Sequence, residues 1–132
     1  MTAPESKPDI PSIDASGLTV GVISARWNHA IVERLHAGAL AAAAASGATI
    51  VDETAPGAFE LPFAARVLAR SGSVDALVVL GAVIRGETTH YELVSEGCAT
   101  GVMSVQLEWG VPIGFGVETV EDHQQACLLY TS

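Results

Sequence analysis

The chain has 132 residues, enough for one domain with a core of its own and too few for two. Hydrophobic residues make up 49% and aromatic residues only 5%, so the core is aliphatic. Six Lys and Arg against 15 Asp and Glu leave a formal charge of −9, which argues against nucleic acid and anionic membranes as partners.

Residues 1–17 carry Pro4, Pro8 and Pro11 among polar residues and read as an extended arm. A buried strand follows at 18–24, with an exit loop at 25–28 that contains Trp27 and Asn28. A helix is expected from about 29 to 46, stopped by Gly47, with an alanine run at 41–45 suited to close packing on a sheet. A second strand spans 48–53. The loop 54–57 leads into a helix over 58–69, where Pro62 sits in the first turn and its missing N–H costs little. Residues 71–73 end that helix. The stretch 78–91 is the centre of the chain. It starts as a continuous apolar run, the mark of a strand buried on both faces. It then turns polar at Arg85-Gly86-Glu87-Thr88-Thr89, and a third helix is expected from about 89 to 108, closed by Trp109-Gly110. A fourth strand at 111–117 begins with Pro112, which suggests a strand start or a sheet edge. Residues 118–122 open a fourth helix, with acidic residues favouring its first turn.

Four strand–helix alternations with short links require parallel strands, right-handed crossovers and helices on both faces of an open sheet. Ligands of such sheets bind beyond the carboxyl ends of the strands. The loops expected there carry Trp27-Asn28, Pro56 to Glu60 and Gly86 to His90, with Phe115 near the end of strand four. Thr88 or Thr89 can cap the third helix, leaving first-turn N–H groups to receive an anion beside His90. Arg85 fits either that anion or a structural ion pair, and the ion pair is favoured. Trp27, Phe59 and Phe115 each fit the core or a ring face offered to a planar ligand. Glu60 suits either the helix dipole or hydrogen bonds from a polyol or amine. His29, His36 and His123 fall on expected helices among polar residues, where surface positions suffice. Neither His90 nor the two cysteines, Cys98 and Cys127, stand at metal-ligand spacing, and the turn is neither GxxxxGK[ST] nor GxGxxG. The cysteines form no CxxC, and a reduced cytoplasm is the simplest setting. No secretory signal and no span of transmembrane length is visible.

Read together, Arg26-Trp27-Asn28, the segment 56–62 (PGAFELP), the segment 81–91 (GAVIRGETTHY) and the segment 112–117 (PIGFGV) make the chain resemble the 6,7-dimethyl-8-ribityllumazine synthases, in order over about 13–126. The resemblance implies a three-layer α/β/α, flavodoxin-like fold with a four-stranded parallel sheet, assembled into homopentamers or a 60-subunit shell, with each active site between two subunits. It implies two small-molecule substrates, 5-amino-6-(D-ribitylamino)uracil and 3,4-dihydroxy-2-butanone 4-phosphate, and neither cofactor nor metal. By the family pattern Trp27 stacks on the pyrimidine, and Asn28 belongs with it at the substrate. Ala58, Phe59 and Glu60 line the ribityl pocket. Ala82, Val83 and Ile84 hold the uracil, Val83 and Ile84 through their backbone. Gly86, Glu87 and Thr88 form the phosphate turn. His90 is the proton-shuttling residue, and Phe115 reaches the site from the neighbouring subunit.

The sequence departs from that pattern in two places. The family continues into a basic turn and a final helix, one arginine of which clamps the phosphate; Leu129 falls about where it would stand, and 127–132 read as a non-family tail. Glu118 occupies a position where the family prefers an apolar residue. The domain reading is therefore an arm at 1–17, a synthase domain at 18–126 without its final helix, and the tail. Two other functions stay open at this point: a non-catalytic lumazine- or flavin-binding, shell-forming relative, favoured by the missing arginine, and an archaeal-type riboflavin synthase, disfavoured by the phosphate-type turn.

Overall fold

The unbroken apolar run becomes the longest strand, β3 (Ala76–Ile84), buried without interruption from Val79 to Ile84. The computed structural model describes residues 11–87, 90–122 and 124. Beside β3 lie β1 (Thr19–Ala25), β2 (Thr49–Ala55) and β4 (Ile113–Val120), all parallel, in the order β2-β1-β3-β4. Three helices connect them: α1 (His29–Ala45), α2 (Leu61–Ser71) and α3 (Tyr91–Trp109). A 3₁₀ turn, Ala58–Glu60, leads into α2, and another, Arg85–Glu87, follows β3.

The two sheet faces are covered unequally. Ile31 and Val32 of α1 pack with Ala82, Ile84 and Val120 on one face. The larger cluster on the other face joins Ile23, Leu77, Val79 and Val83 to Leu61 and Ala65 of α2 and to Cys98 and Val102 of α3. This is the expected α/β/α layering, built here from one helix on one side and two on the other. The helix ends follow local chemistry: Gly72 and Gly110 take the left-handed conformation after α2 and α3 (φ 72° and 64°), which costs glycine least.

Several expectations change in the structure. The alanine run does not lie on the sheet: Ala41, Ala42, Ala44 and Ala45 are exposed, and the first two turns of α1 do the packing. Glu118 and Thr119 do not open a helix. β4 runs on to Val120, pairing Ala82 with Glu118 and Ile84 with Val120, because sheet pairing and burial of Val120 outweigh the helix preference of an acidic run. Apart from Gln124, which is helical, what was expected of a fourth helix beyond Asp122, of the arm's first ten residues and of the tail at 127–132 lies outside the described residues. The end of the arm is pinned, the Ala15 N–H donating to the Ser46 carbonyl (2.7 Å). Pro112 does precede a strand, and β4 is an edge of the sheet. His36 is half-buried rather than a plain surface residue, and its Nε2 lies 2.9 Å from both Asp52 carboxylate oxygens, tying α1 to β2.

Candidate active site

Loops leaving the carboxyl ends of β1, β2 and β3 meet over a cleft of about 380 Å³. Backbone bonds set them side by side. The Arg26 N–H donates to the Ala55 carbonyl (2.8 Å) and the Trp27 N–H to the Pro56 carbonyl (3.1 Å), so the exit loop of β1 is laced to that of β2. Trp27, 71% exposed, thus stands over Pro56 and Gly57 with its ring free to take a planar partner. Asn28 follows it, and its side-chain Nδ2 donates to the Ala82 carbonyl (2.9 Å).

The 3₁₀ turn forms the second wall. Ala58 is buried, while Phe59 and Glu60 are exposed toward the cleft. The turn is seated by two glycines of α3. A Cβ on Gly97 would come within 2.8 Å of the Phe59 ring, and one on Gly101 within 2.7 Å of the Pro62 ring. Only hydrogen at those positions lets the helix approach the turn this closely. Glu60 curls back, its Oε2 lying 3.4 Å from where a Cβ on Gly57 would stand. It is the single charged residue among the described lining residues.

Ala82, Val83 and Ile84 form the floor. The Val83 side chain enters the core cluster of α2 and α3, and those of Ala82 and Ile84 enter the cluster of α1. With the side chains spent in the core, what this strand end offers the cleft is backbone. Val94, in the first turn of α3, completes the lining.

The eight residues expected around the substrate on β1, β2 and β3, Trp27, Asn28, Ala58, Phe59, Glu60, Ala82, Val83 and Ile84, are therefore brought together. Phe115 is not. It pairs with Val79 in the first half of β4, away from the carboxyl end, and does not line the cleft of its own chain. Gly86 also differs from the expectation. Its N–H donates to the Glu121 carbonyl (3.3 Å), so this amide is already engaged. Thr88 and Thr89 lie outside the described residues, and the helix N-cap is His90 itself, exposed, with its carbonyl accepting from the Val94 N–H (2.9 Å). His90 thus stands one turn before the lining residue Val94 and is not itself among the residues that line the cleft. Arg85 takes the structural role: its guanidinium reaches Glu121 (3.4 Å) and Glu92 (3.9 Å) and stands 5.9 Å from the centre of the Tyr91 ring. Sequence reasoning missed Val94, Gly97 and Gly101. The signal available was two glycines four apart in an otherwise helical stretch, spacing that marks close approach on one helix face.

An aromatic face, a carboxylate and the end of a strand at a parallel sheet's carboxyl edge suit a planar heterocycle carrying a hydroxylated chain. Among the described residues no group of three possible ligands could hold a metal ion, and no helix is long and apolar enough to cross a membrane. The fold and cleft define a small-molecule site of the open α/β class. Residues 17–128 match the model of the family described as 6,7-dimethyl-8-ribityllumazine synthase, and the chain belongs to that family. It is 50% identical over 123 residues to a protein of that name from Kineococcus radiotolerans, covering 92% of this chain and 75% of that one. Namesakes from Deinococcus deserti and Corynebacterium urealyticum are 46% and 47% identical over 115 and 112 residues, each covering 85% of this chain and 74% and 69% of theirs.

Proposed function

We infer that this protein condenses 5-amino-6-(D-ribitylamino)uracil with 3,4-dihydroxy-2-butanone 4-phosphate to 6,7-dimethyl-8-ribityllumazine, releasing phosphate, a transferase step of riboflavin biosynthesis. The observation that carries this reading is the meeting of Trp27-Asn28, the 56–60 loop and the 82–84 strand end, three separate family segments, on one cleft. The uracil ring lies against Trp27 and is held by strand backbone at Ile84, with Val83 beside it in the floor. The ribityl chain runs along Ala58 and Phe59, with Glu60 accepting from its hydroxyls.

The chemistry asks for little beyond position and proton transfer. The 5-amino nitrogen bonds to the ketone carbon and water leaves. Phosphate departs from C4 of the butanone, and the ribitylamino nitrogen closes the ring with loss of a second water. No hydride moves. Orienting two reactants supplies most of the acceleration, and a group that gives and takes protons supplies the rest. His90 is that group in our reading, supported by its exposed place one turn before Val94. The turn from Gly86 through Glu87 to Thr88 receives the phosphate, with the Gly86 amide shaping the turn through its bond to Glu121.

Phe115 acts from a neighbouring subunit of a homopentamer or larger shell. Support comes from its 45% exposure on an edge strand outside its own cleft. The compartment is the cytoplasm, in keeping with the free thiol of Cys98. The test mixes purified protein with both substrates and follows lumazine fluorescence and free phosphate. Both signals rising together are expected. Tight lumazine binding with no phosphate release would overturn the catalytic reading, and riboflavin formed from lumazine alone would replace it.

A further inference from the structure

Asn28 departs from the usual behaviour of its position. It is the N-cap of α1, where an asparagine side chain normally accepts from the first-turn N–H groups, yet it makes no such bond. Its backbone is left-handed (φ 61°, ψ 45°), the only non-glycine residue with positive φ among those described. An N-cap is ordinarily extended. Both departures serve one contact, the 2.9 Å bond from Nδ2 to the Ala82 carbonyl, 54 residues away.

The ladder explains why that contact is needed. β1 pairs with β3 from Val20–Ala76 to Ser24–Leu80, and then turns away. β3 continues for four residues with β4 as its only strand partner. The Ala82 carbonyl therefore faces a gap where the next β1 amide would have been, and the Asn28 amide fills it. Backbone groups alternate along a strand, so those of Ile84 point to the same side as those of Ala82, into the cleft that Asn28 borders.

We propose that Asn28 is a positioning residue: its side-chain amide replaces a missing strand, fixing the backbone edge at Ala82–Ile84 relative to the Trp27 ring and so setting the gap that admits a planar heterocycle. This rests on the synthase reading for the identity of the heterocycle, while the tether itself does not. Trp27 and Asn28 are adjacent, so the tether that orders the strand end also holds the ring's backbone.

Asn28→Gly and Asn28→Asp test it. Glycine keeps the left-handed backbone without strain and removes the tether. Aspartate keeps the shape and sets a carboxylate against a carbonyl; once protonated, its O–H can donate to Ala82. Thermal melts of the ligand-free protein come first. Asn28→Asp should lose stability steadily from about pH 4 to pH 7 relative to both Asn28→Gly and the parent, since a carboxylate facing an acceptor has a raised pKa and is penalised only when charged. Steady-state kinetics follow. Asn28→Gly should raise KM for the ribitylaminouracil about fivefold to tenfold, as loss of one hydrogen bond implies, with kcat within about threefold. Asn28→Asp should raise it further at pH 7 and recover as pH falls. An Asn28→Asp melt profile parallel to the parent's removes the tether from the account. A pH-dependent melt with unchanged KM in both variants reduces it to a structural bond and overturns the positioning role. Should the parent turn nothing over, the enzyme reading fails separately, and affinity for the lumazine, read from its fluorescence, decides the effect of the tether by the same comparison.

Discussion

The two glycines of α3 should respond to alanine in opposite ways. In a helix interior Gly→Ala stabilises by about 1 kcal/mol when the methyl group has room. At Gly97 the new Cβ would stand 2.8 Å from Cε2 of Phe59, the far end of a side chain that is 54% exposed and able to swing outward. The helix gain then survives nearly whole, and the cleft loses its Phe59 wall. At Gly101 the new Cβ would stand 2.7 Å from both Cβ and Cγ of Pro62, a ring anchored to the backbone in the first turn of α2. Neither helix can yield without opening the core they share, at a cost of about 1–3 kcal/mol for overpacking. The expected net effects are a change of about 0 to +1 kcal/mol for Gly97→Ala and a loss of about 0–2 kcal/mol for Gly101→Ala. For a domain of this size 1 kcal/mol moves the midpoint by about 4 °C. Thermal melts by circular dichroism measure this, and KM for the ribitylaminouracil reads the wall, with Gly97→Ala expected to raise it about tenfold. Midpoints shifting together in one direction, or an unaltered KM in Gly97→Ala, would refute the claim that these glycines seat the 3₁₀ turn.

Three further outcomes are expected. His90→Ala should slow single turnover by about a hundredfold without abolishing it, since proton transfer is only part of the acceleration; an unchanged rate would exclude any role for His90. Cys98 is fully buried and its thiol is pushed up to about 11 by desolvation, so in a Cys127→Ser background a thiol-specific disulfide reagent should find no reactive group until the protein is unfolded; rapid labelling of the native chain would show the core packing to be wrong. Burial raises the Glu118 carboxyl above its ordinary range, and its Oε2 is buried with no hydrogen-bond partner. A group with a raised folded-state pKa destabilises only when charged, so stability should fall as pH rises through its titration. Glu118→Gln should therefore melt higher than the parent at pH 7, with the difference vanishing near pH 4; a constant difference would place the effect elsewhere.

Local pattern determined most of the fold. The apolar run of β3, the glycines that close α2 and α3, and Pro62 in a first turn act through near neighbours, so order and type of elements were legible from residue spacing alone. So were the cleft walls, because each lies in the few residues directly after a strand, where a parallel sheet must place its loops. The far end of β4 was not legible. Glu118 and Thr119 carry a local helix signal, and only their pairing with Ala82 and Val83 makes them strand. The engagement of the Gly86 amide by Glu121, the ion pairs of Arg85, the seat that Gly97 and Gly101 provide and the reach of Asn28 to Ala82 join residues 35 to 54 or so positions apart or on separate elements. The glycine spacing and the charge of Arg85 hinted at a close approach and an ion pair, but which residue each group meets, and at what distance, no local period encodes. The sequence by itself directed Trp27, Asn28, Ala58 to Glu60 and Ala82 to Ile84 to one sheet edge; the packing of α3, which adds Val94 and the seat at Gly97 and Gly101, and the early departure of β1 from β3 decided how far apart they stand.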